Sequence, residues 1–252
     1  MEKRERKIQV EETNMGIKKS QDYIYQVKNH HSKPKKHFVD KKNIIKKYFK
    51  KKISLLDVGC ASGDLISYFD SINLIKDATG IDYSQRLISE AKNGNFKNPC
   101  TFLLKSAENF NLKKKFDVII VSGVLCYFDT PSKSIKKISN HLKKNGIIII
   151  FDKFNFFNID ILIKYRDNNL STKFVPGWNI HSINKIKESC SKHGLEIQKL
   201  IKFKLNFELK KKKDAARSWI VNLNNKKKLT NGLNLIYDHH FLILKKTVKN
   251  KH

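Results

Sequence analysis

The chain has 252 residues, a formal net charge of +29 and four cysteines. That length holds one α/β domain with additions, and it excludes a scaffold too small to build a core of its own. No apolar run reaches the roughly 18 residues of a membrane-crossing helix, and Met1–Lys7 leads into no apolar signal region, so a cytoplasmic protein without a membrane partner is expected.

Cys60, Cys100, Cys126 and Cys190 are far apart and show no paired spacing, so no metal site and no disulfide framework is expected. Cys60 and Cys126 read as small packing residues. All but five of the 52 basic residues are lysine, scattered in pairs and triplets along the chain. Base and phosphate readers favour arginine's planar fork, so the charge reads as a solvated surface, with an RNA partner as the competing reading.

Residues 1–20 are charged and aperiodic, which suits a mobile arm or a frayed helix. Tyr23, Tyr25, His30, His31 and His37 follow as residues able to cap a ligand pocket, with ordinary helix packing as the alternative. Asp40–Phe49 carries apolar pairs one turn apart and is expected to be an amphipathic helix.

The next stretch, Leu55-Leu56-Asp57-Val58-Gly59-Cys60-Ala61-Ser62-Gly63-Asp64, is an apolar run ending in an acid, then a glycine-rich turn opening a helix. Such a turn presents backbone N–H groups and a helix N-terminus to a ligand at the carboxyl end of a strand. Asp82, within Gly80-Ile81-Asp82-Tyr83-Ser84, lies 23 residues after Gly59. A carboxylate at about that distance (roughly 20 residues) is placed to hold a ribose diol. Ser84 is the expected N-cap of the following helix. A nicotinamide fingerprint would require G-x-G-x-x-G, and Gly59-Cys60-Ala61-Ser62-Gly63 does not supply it.

Strands are expected at Ser54–Val58, Ala78–Asp82, Thr101–Leu104, Phe116–Ser122 and Ile147–Asp152, with helices at Asp64–Ser71, Ser84–Asn93 and Pro131–Lys144. Continuous apolar strands alternating with helices predict a parallel sheet covered on both faces, with ligands at the strand carboxyl ends. Lys153–Asn179 is aromatic and too long for a simple connection, so a lid is expected there, with a helix at Ile159–Tyr165 and a pocket-facing loop at Pro176–His181. A helix from His181 to Gly194, a strand at Leu195–Phe203 and a last strand at Phe241–Lys245 follow. Lys210–Asp238 is expected to form a hairpin or a second lid.

These segments resemble the class I S-adenosylmethionine-dependent methyltransferases over about residues 50–200 plus the final strand. Asp57, Gly59, Ala61 and Gly63 look like that family's first motif, and Asp82 and Tyr83 like its ribose-binding acid and adenine-packing neighbour. Leu104–Glu108, Phe116–Ser122 and Leu142–Ile150 look like the later motifs. The resemblance implies a Rossmann-like fold: a seven-stranded, mostly parallel sheet with an antiparallel last strand, helices on both faces and lid insertions at about 153–180 and 206–239. It places residues 51–252 in the methyltransferase domain and 1–50 in an arm and helix capping the pocket. It further implies S-adenosylmethionine as cofactor, bound by Asp57, Gly59, Ala61, Gly63, Asp82, Tyr83, Ser106, Ala107 and Ser122. Ala61 replaces a glycine common in relatives, and Ser106 replaces an acid that contacts the adenine amino group, where a serine hydroxyl can still accept a hydrogen bond.

The implied chemistry is an SN2 displacement at a sulfonium methyl, in which the protein mainly positions the reactants. An oxygen or nitrogen nucleophile of a small, sugar-like or anionic metabolite is the expected acceptor. His181 and His37 are candidate bases by residue type, as is His239, while Tyr127 or Tyr165 can orient a substrate. Catalytic roles are therefore expected of His181, His37 and Tyr127. An RNA methyltransferase using the basic surface and a non-enzymatic RNA-binding protein are the alternatives, and the oligomeric state is not legible.

Overall fold

The five central strands carry apolar side chains on both faces, and only a sheet covered twice can bury them. A computed structural model describes residues 34–166, 168, 173–211 and 217–247. Tyr23, Tyr25, His30 and His31 and the arm before them lie outside these residues. Helix α1 spans Lys36–Tyr48, followed by β1 Ile53–Val58, α2 Asp64–Ser71, β2 Ile75–Asp82, α3 Gln85–Lys92, β3 Cys100–Leu104 and β4 Phe116–Ser122. Then come a 3-10 turn at Leu125–Tyr127, α4 Ser132–Asn140, β5 Leu142–Asn155, and the two-residue strands β6 Lys164–Tyr165, β7 Val175–Pro176 and β8 His181–Ser182. Helix α5 Ile183–Lys192 and strands β9 Leu195–Lys202, β10 Trp219–Leu223, β11 Lys226–Thr230 and β12 His239–Lys246 complete the order.

The main sheet runs β3-β2-β1-β4-β5-β12-β9, with β8 pairing the far end of β5. β1 to β5 are parallel, and β12 is antiparallel to both neighbours. This is the seven-stranded, Rossmann-like methyltransferase order that the sequence implied. The period-2 pleat divides neighbouring residues between two cores. Val118, Ile120, Ile147 and Ile149 pack with α1, α2 and α3 through Ile45, Ile66 and Ile88. Ile119, Val121, Ile148 and Ile150 pack on the other face with α4 and α5 through Ile135, Ile138 and Ile186.

Several helix ends are explained by their caps. The Ser84 hydroxyl accepts from Leu87 N–H at 3.3 Å and opens α3 as expected. Ser182 does the same for α5 through Lys185 N–H at 3.1 Å, and Gly194 ends that segment with φ +66. α4 stops at Asn140, short of the expected Lys144, because β5 already starts at Leu142, which pairs with Phe116.

The expected helix at Ile159–Tyr165 does not form. Ile161 and Ile180 exchange backbone hydrogen bonds at 2.9 Å, and Lys164–Tyr165 pairs with Val175–Pro176. Partners distant in sequence thus override the local apolar period. The 210–238 segment does contain a hairpin, β10–β11, turning at Asn224 and Asn225 with φ +47 and +59. Two consecutive positive φ values are the requirement of a type I′ turn, and asparagine tolerates them better than most residues.

Candidate active site

The carboxyl ends of β1, β2, β3 and β4 bring the sequence-derived cofactor residues to one edge of the sheet. Gly59 and Cys60 donate backbone N–H groups to Ile81 O at 2.8 and 3.0 Å, which ties the turn after β1 to the end of β2. The turn needs left-handed backbone at Gly59 (φ +75), Ala61 (φ +48) and Gly63 (φ +82). A Cβ at Gly59 would lie 2.3 Å from Val124 Cγ2, so the glycine is required for space as well as for conformation.

Asp82 sits at the centre of this edge. Its buried carboxylate accepts from Ala61 N–H at 2.9 Å and from Ser84 N–H at 3.0 Å. Tyr83 beside it is 45% exposed. Lys105 N–H donates to Asp82 O at 2.9 Å, which sets Ser106 and the buried Ala107 next to β2. The Ser106 hydroxyl accepts from Glu108 N–H at 3.2 Å and so shapes its own turn. Ser122, at the end of β4, has a buried hydroxyl without a hydrogen-bond partner. Next to it, Gly123 (φ +62) has open space where a Cβ would point.

Asp57 is buried in the body of this edge, and burial pushes its carboxyl up to about 7, with Lys41 opposing and Asp82 and Asp64 adding to the rise. Lys41, from α1, is fully buried, and burial pulls its ammonium down to about 7 against the attraction of Asp57. Lys41 Nζ lies 2.7 Å from His37 Nδ1 and 4.7 Å from the centre of the Phe151 ring. Nothing in residue type or spacing singles out this buried lysine, one of several on an amphipathic helix.

Beyond Gly123, a cavity of about 220 Å³ opens between the ends of β4 and β5 and the β10–β11 insertion. Tyr127, Trp178 and Tyr237 form its aromatic walls, and Asp152, Lys153 and Arg217 supply its charges. Trp178 Nε1 donates to Tyr127 Oη at 3.1 Å, and the Trp178 ring stacks on Tyr165 at 5.1 Å. Asn179 fixes this wall: its amide donates to Phe128 O and Asp129 Oδ1, and its Oδ1 accepts from Ile163 N–H at 2.7 Å.

Of the three residues expected to act in catalysis, Tyr127 lines the cavity. His181 is buried behind it, with Nε2 3.2 Å from Leu125 O and Nδ1 4.0 Å from Asp160 Oδ1. His37 stacks on Phe151 at 5.0 Å, and that ring in turn stacks on His239 in the cavity wall. His239 does line the cavity, and burial, followed by Lys153, holds it down at about 3, so it is neutral at pH 7. Asp152 and Lys153 were missed because they fall at the end of an isoleucine strand. Only the position beside the β4 end could have singled them out. Cys126 also lines the cavity, its thiol pushed up to about 12 by burial, which suits a packing residue. Among the described residues no cluster of histidine, cysteine or acid side chains could hold a metal ion, and no helix is long and apolar enough to cross a membrane.

Residues 56–150 match the family model described as a methyltransferase domain. The chain is 29% identical over 143 residues to a carboxy-S-adenosyl-L-methionine synthase of Yersinia pseudotuberculosis, covering 53% of this chain and 59% of that protein. It is 37% identical over 102 residues to a ubiquinone biosynthesis O-methyltransferase of Pelagibacter ubique, covering 40% and 42% respectively. The chain thus spans about half of the length of the curated relatives it matches. In fold it is similar to a putative S-adenosylmethionine-dependent methyltransferase of Listeria monocytogenes, with a TM-score of 0.59, 15% identity and coverage of 82% and 97%. Residues 56–150 therefore match a methyltransferase domain, in a chain that shares the fold of S-adenosylmethionine-dependent methyltransferases.

Proposed function

We propose that the protein transfers the methyl group of S-adenosylmethionine to an oxygen or nitrogen nucleophile of a small molecule held in the cavity beside Gly123. The observation that carries this reading is the continuity of two features. The glycine turn tied to Asp82 packs at Gly59 against Val124, and Gly123 beside Val124 lines the cavity.

The residues present fit the cofactor. The orphaned Ser122 hydroxyl and the open space in front of Gly123 leave a polar recess at the end of β4. The Asp82 carboxylate is held at this edge by the N–H groups of Ala61 and Ser84. In this reading Asp82 holds the ribose hydroxyls, Tyr83 packs on the adenine face, and Ser106 and Ala107 border its edge. The backbone of Gly59, Ala61 and Gly63 lies along the nucleoside, while Asp57 and Ser122 face the methionyl end. An ammonium beside Asp57 would draw its carboxyl back to the charged form.

When bound, the cofactor supplies an electrophilic methyl on a good leaving group, so the protein's part is alignment and exclusion of water. Trp178 and Tyr127 shield the cavity, and Tyr127 Oη is positioned to orient an acceptor. His181 and His37 support that wall from behind. The small-molecule reading is also supported by the O-methyltransferase similar to this chain, whose name places it in ubiquinone biosynthesis.

The net charge of +29 favours one other reading, methylation of RNA. The two are separated by incubating the protein with methyl-labelled cofactor and either a metabolite extract or total RNA. Label in the metabolite fraction alone is expected. Label in RNA, with affinity falling steeply with salt, would favour the alternative.

A further inference from the structure

The charged pair in the cavity narrows the acceptor class, and the step rests on the methyltransferase reading above. Asp152 is 2% exposed, and its Oδ2 is buried without a hydrogen-bond partner. Its Oδ1 accepts from Lys153 N–H at 2.9 Å. The Lys153 ammonium stands 3.9 Å from that same oxygen, beyond hydrogen-bond range, and 5.8 Å from the centre of the Tyr237 ring. A native interior seldom leaves a buried carboxylate oxygen unsatisfied without a functional reason.

The rest of the lining sets charge and shape. Lys153 and Arg217 are cationic, His239 is neutral, and Asp152 is the single acid, so the cavity favours an anion. Tyr127, Trp178 and Tyr237 give it flat walls. Its size is about 220 Å³, and an apolar cavity of roughly 150 Å³ holds benzene. One six-membered ring with one or two substituents fills such a space.

We propose that this cavity binds a single-ring carboxylic acid bearing a hydroxyl group, with Lys153 and Arg217 taking the carboxylate and Asp152 acting as the base for the hydroxyl. The hydroxyl donates to Asp152 Oδ2, the atom that lacks a partner. On reaction the hydroxyl oxygen's electron pair forms the bond to the methyl carbon, and the methyl–sulfur bond breaks with its pair passing to sulfur. The hydroxyl proton passes to Asp152, leaving a methyl ether, a neutral thioether and a protonated carboxyl. Burial raises the Asp152 carboxyl, with Lys153 opposing, which suits a group that must take a proton.

The test uses the full chain saturated with S-adenosylhomocysteine and calorimetric titration of benzoate, 3-hydroxybenzoate and 4-hydroxybenzoate, each against its neutral amide. At least one hydroxy acid is expected to bind with 1:1 stoichiometry and at least tenfold more tightly than its amide. Lys153→Met should abolish that preference. Should that variant fail to fold, Arg217→Gln should reduce the preference severalfold. Asp152→Asn should leave binding of the acid within about threefold. With S-adenosylmethionine in place of the homocysteine, its single-turnover transfer to the bound acid should fall by about 10²-fold or more. Acids binding no better than amides, or transfer unaffected in Asp152→Asn, would overturn the proposal. S-adenosylhomocysteine binding is measured first and alone. Its absence in the wild-type chain would defeat the methyltransferase reading itself, a result distinct from a failure of the acid probes.

Discussion

The Asp82 carboxylate accepts the backbone N–H of Ala61 at 2.9 Å, joining the end of β2 to the glycine turn after β1. The acid therefore shapes the turn in addition to any ligand it holds. Asp82→Ala leaves the buried Ser84 N–H and the half-buried Ala61 N–H without this acceptor. A loss of about 1–3 kcal/mol in urea denaturation is expected. Asp82→Asn, which keeps one acceptor oxygen, should lose less. Equal stability of the alanine variant and the wild type would show that the tie is not formed in solution.

Gly59 is held by two independent constraints, φ +75 and the 2.3 Å approach of a Cβ to Val124 Cγ2. Gly59→Ala should cost about 2–4 kcal/mol, the sum of backbone strain and overpacking. In a Val124→Ala background the clash is relieved and only the dihedral cost of about 1–2 kcal/mol should remain. A penalty unchanged between backgrounds would refute the steric part.

Lys41 and Asp57 titrate against each other from buried positions. A carboxyl raised above its unfolded value binds more protons when folded, so stability falls as pH rises from about 4 to about 7. Lys41 opposes that rise electrostatically. Lys41→Met should therefore push the Asp57 carboxyl higher and extend the decline to higher pH, read as denaturation midpoints from pH 5 to 8. A variant whose midpoints parallel the wild type would exclude the coupling.

His239 is depressed to about 3, so between pH 6.5 and 3 the unfolded chain binds a proton that the folded chain refuses. Stability contributed by the neutral ring is intact above pH 6.5 and lost as pH falls through that window. The groups bearing on it are Lys153, His240 and Lys41, which lower it further, and Asp238, which opposes them. His239→Asn should flatten the acid limb by at most about 1.4 kcal/mol per pH unit. An unchanged slope would show the ring to be protonated in the fold.

Asn179 is 1% exposed; its side-chain amide docks the 153–180 insertion on Phe128 and Asp129, just after the 3-10 turn, and its Oδ1 accepts from Ile163 within the insertion. Asn179→Ala should cost about 2–3 kcal/mol and speed proteolysis within the insertion. Wild-type cleavage rates would argue that the wall is held elsewhere.

Much of this was legible in the residues. Strand cores such as Val118–Val121 and Ile147–Ile150 announced a doubly covered parallel sheet, because no other setting buries them. The glycine turn, Asp82 and the Ser84 cap were legible because each demands a particular backbone conformation or hydrogen bond. Ile159–Tyr165 misled because its apolar period is local, whereas its hydrogen bonds run to Val175–Ile180. Lys41, Asp152 and Lys153 were invisible for a different reason. Their significance lies in burial beside groups distant in sequence, and in a chain this rich in lysine the residue type carries no signal.

S-adenosylmethionine is expected to bind at the edge formed by the ends of β1, β2 and β4. Calorimetric titration of the full chain with S-adenosylmethionine tests it most directly. One saturable site in the wild type, with affinity reduced at least tenfold in Asp82→Asn while the fold persists, is the predicted result. No saturable heat in a folded wild-type chain, or equal affinity in the variant, would contradict it.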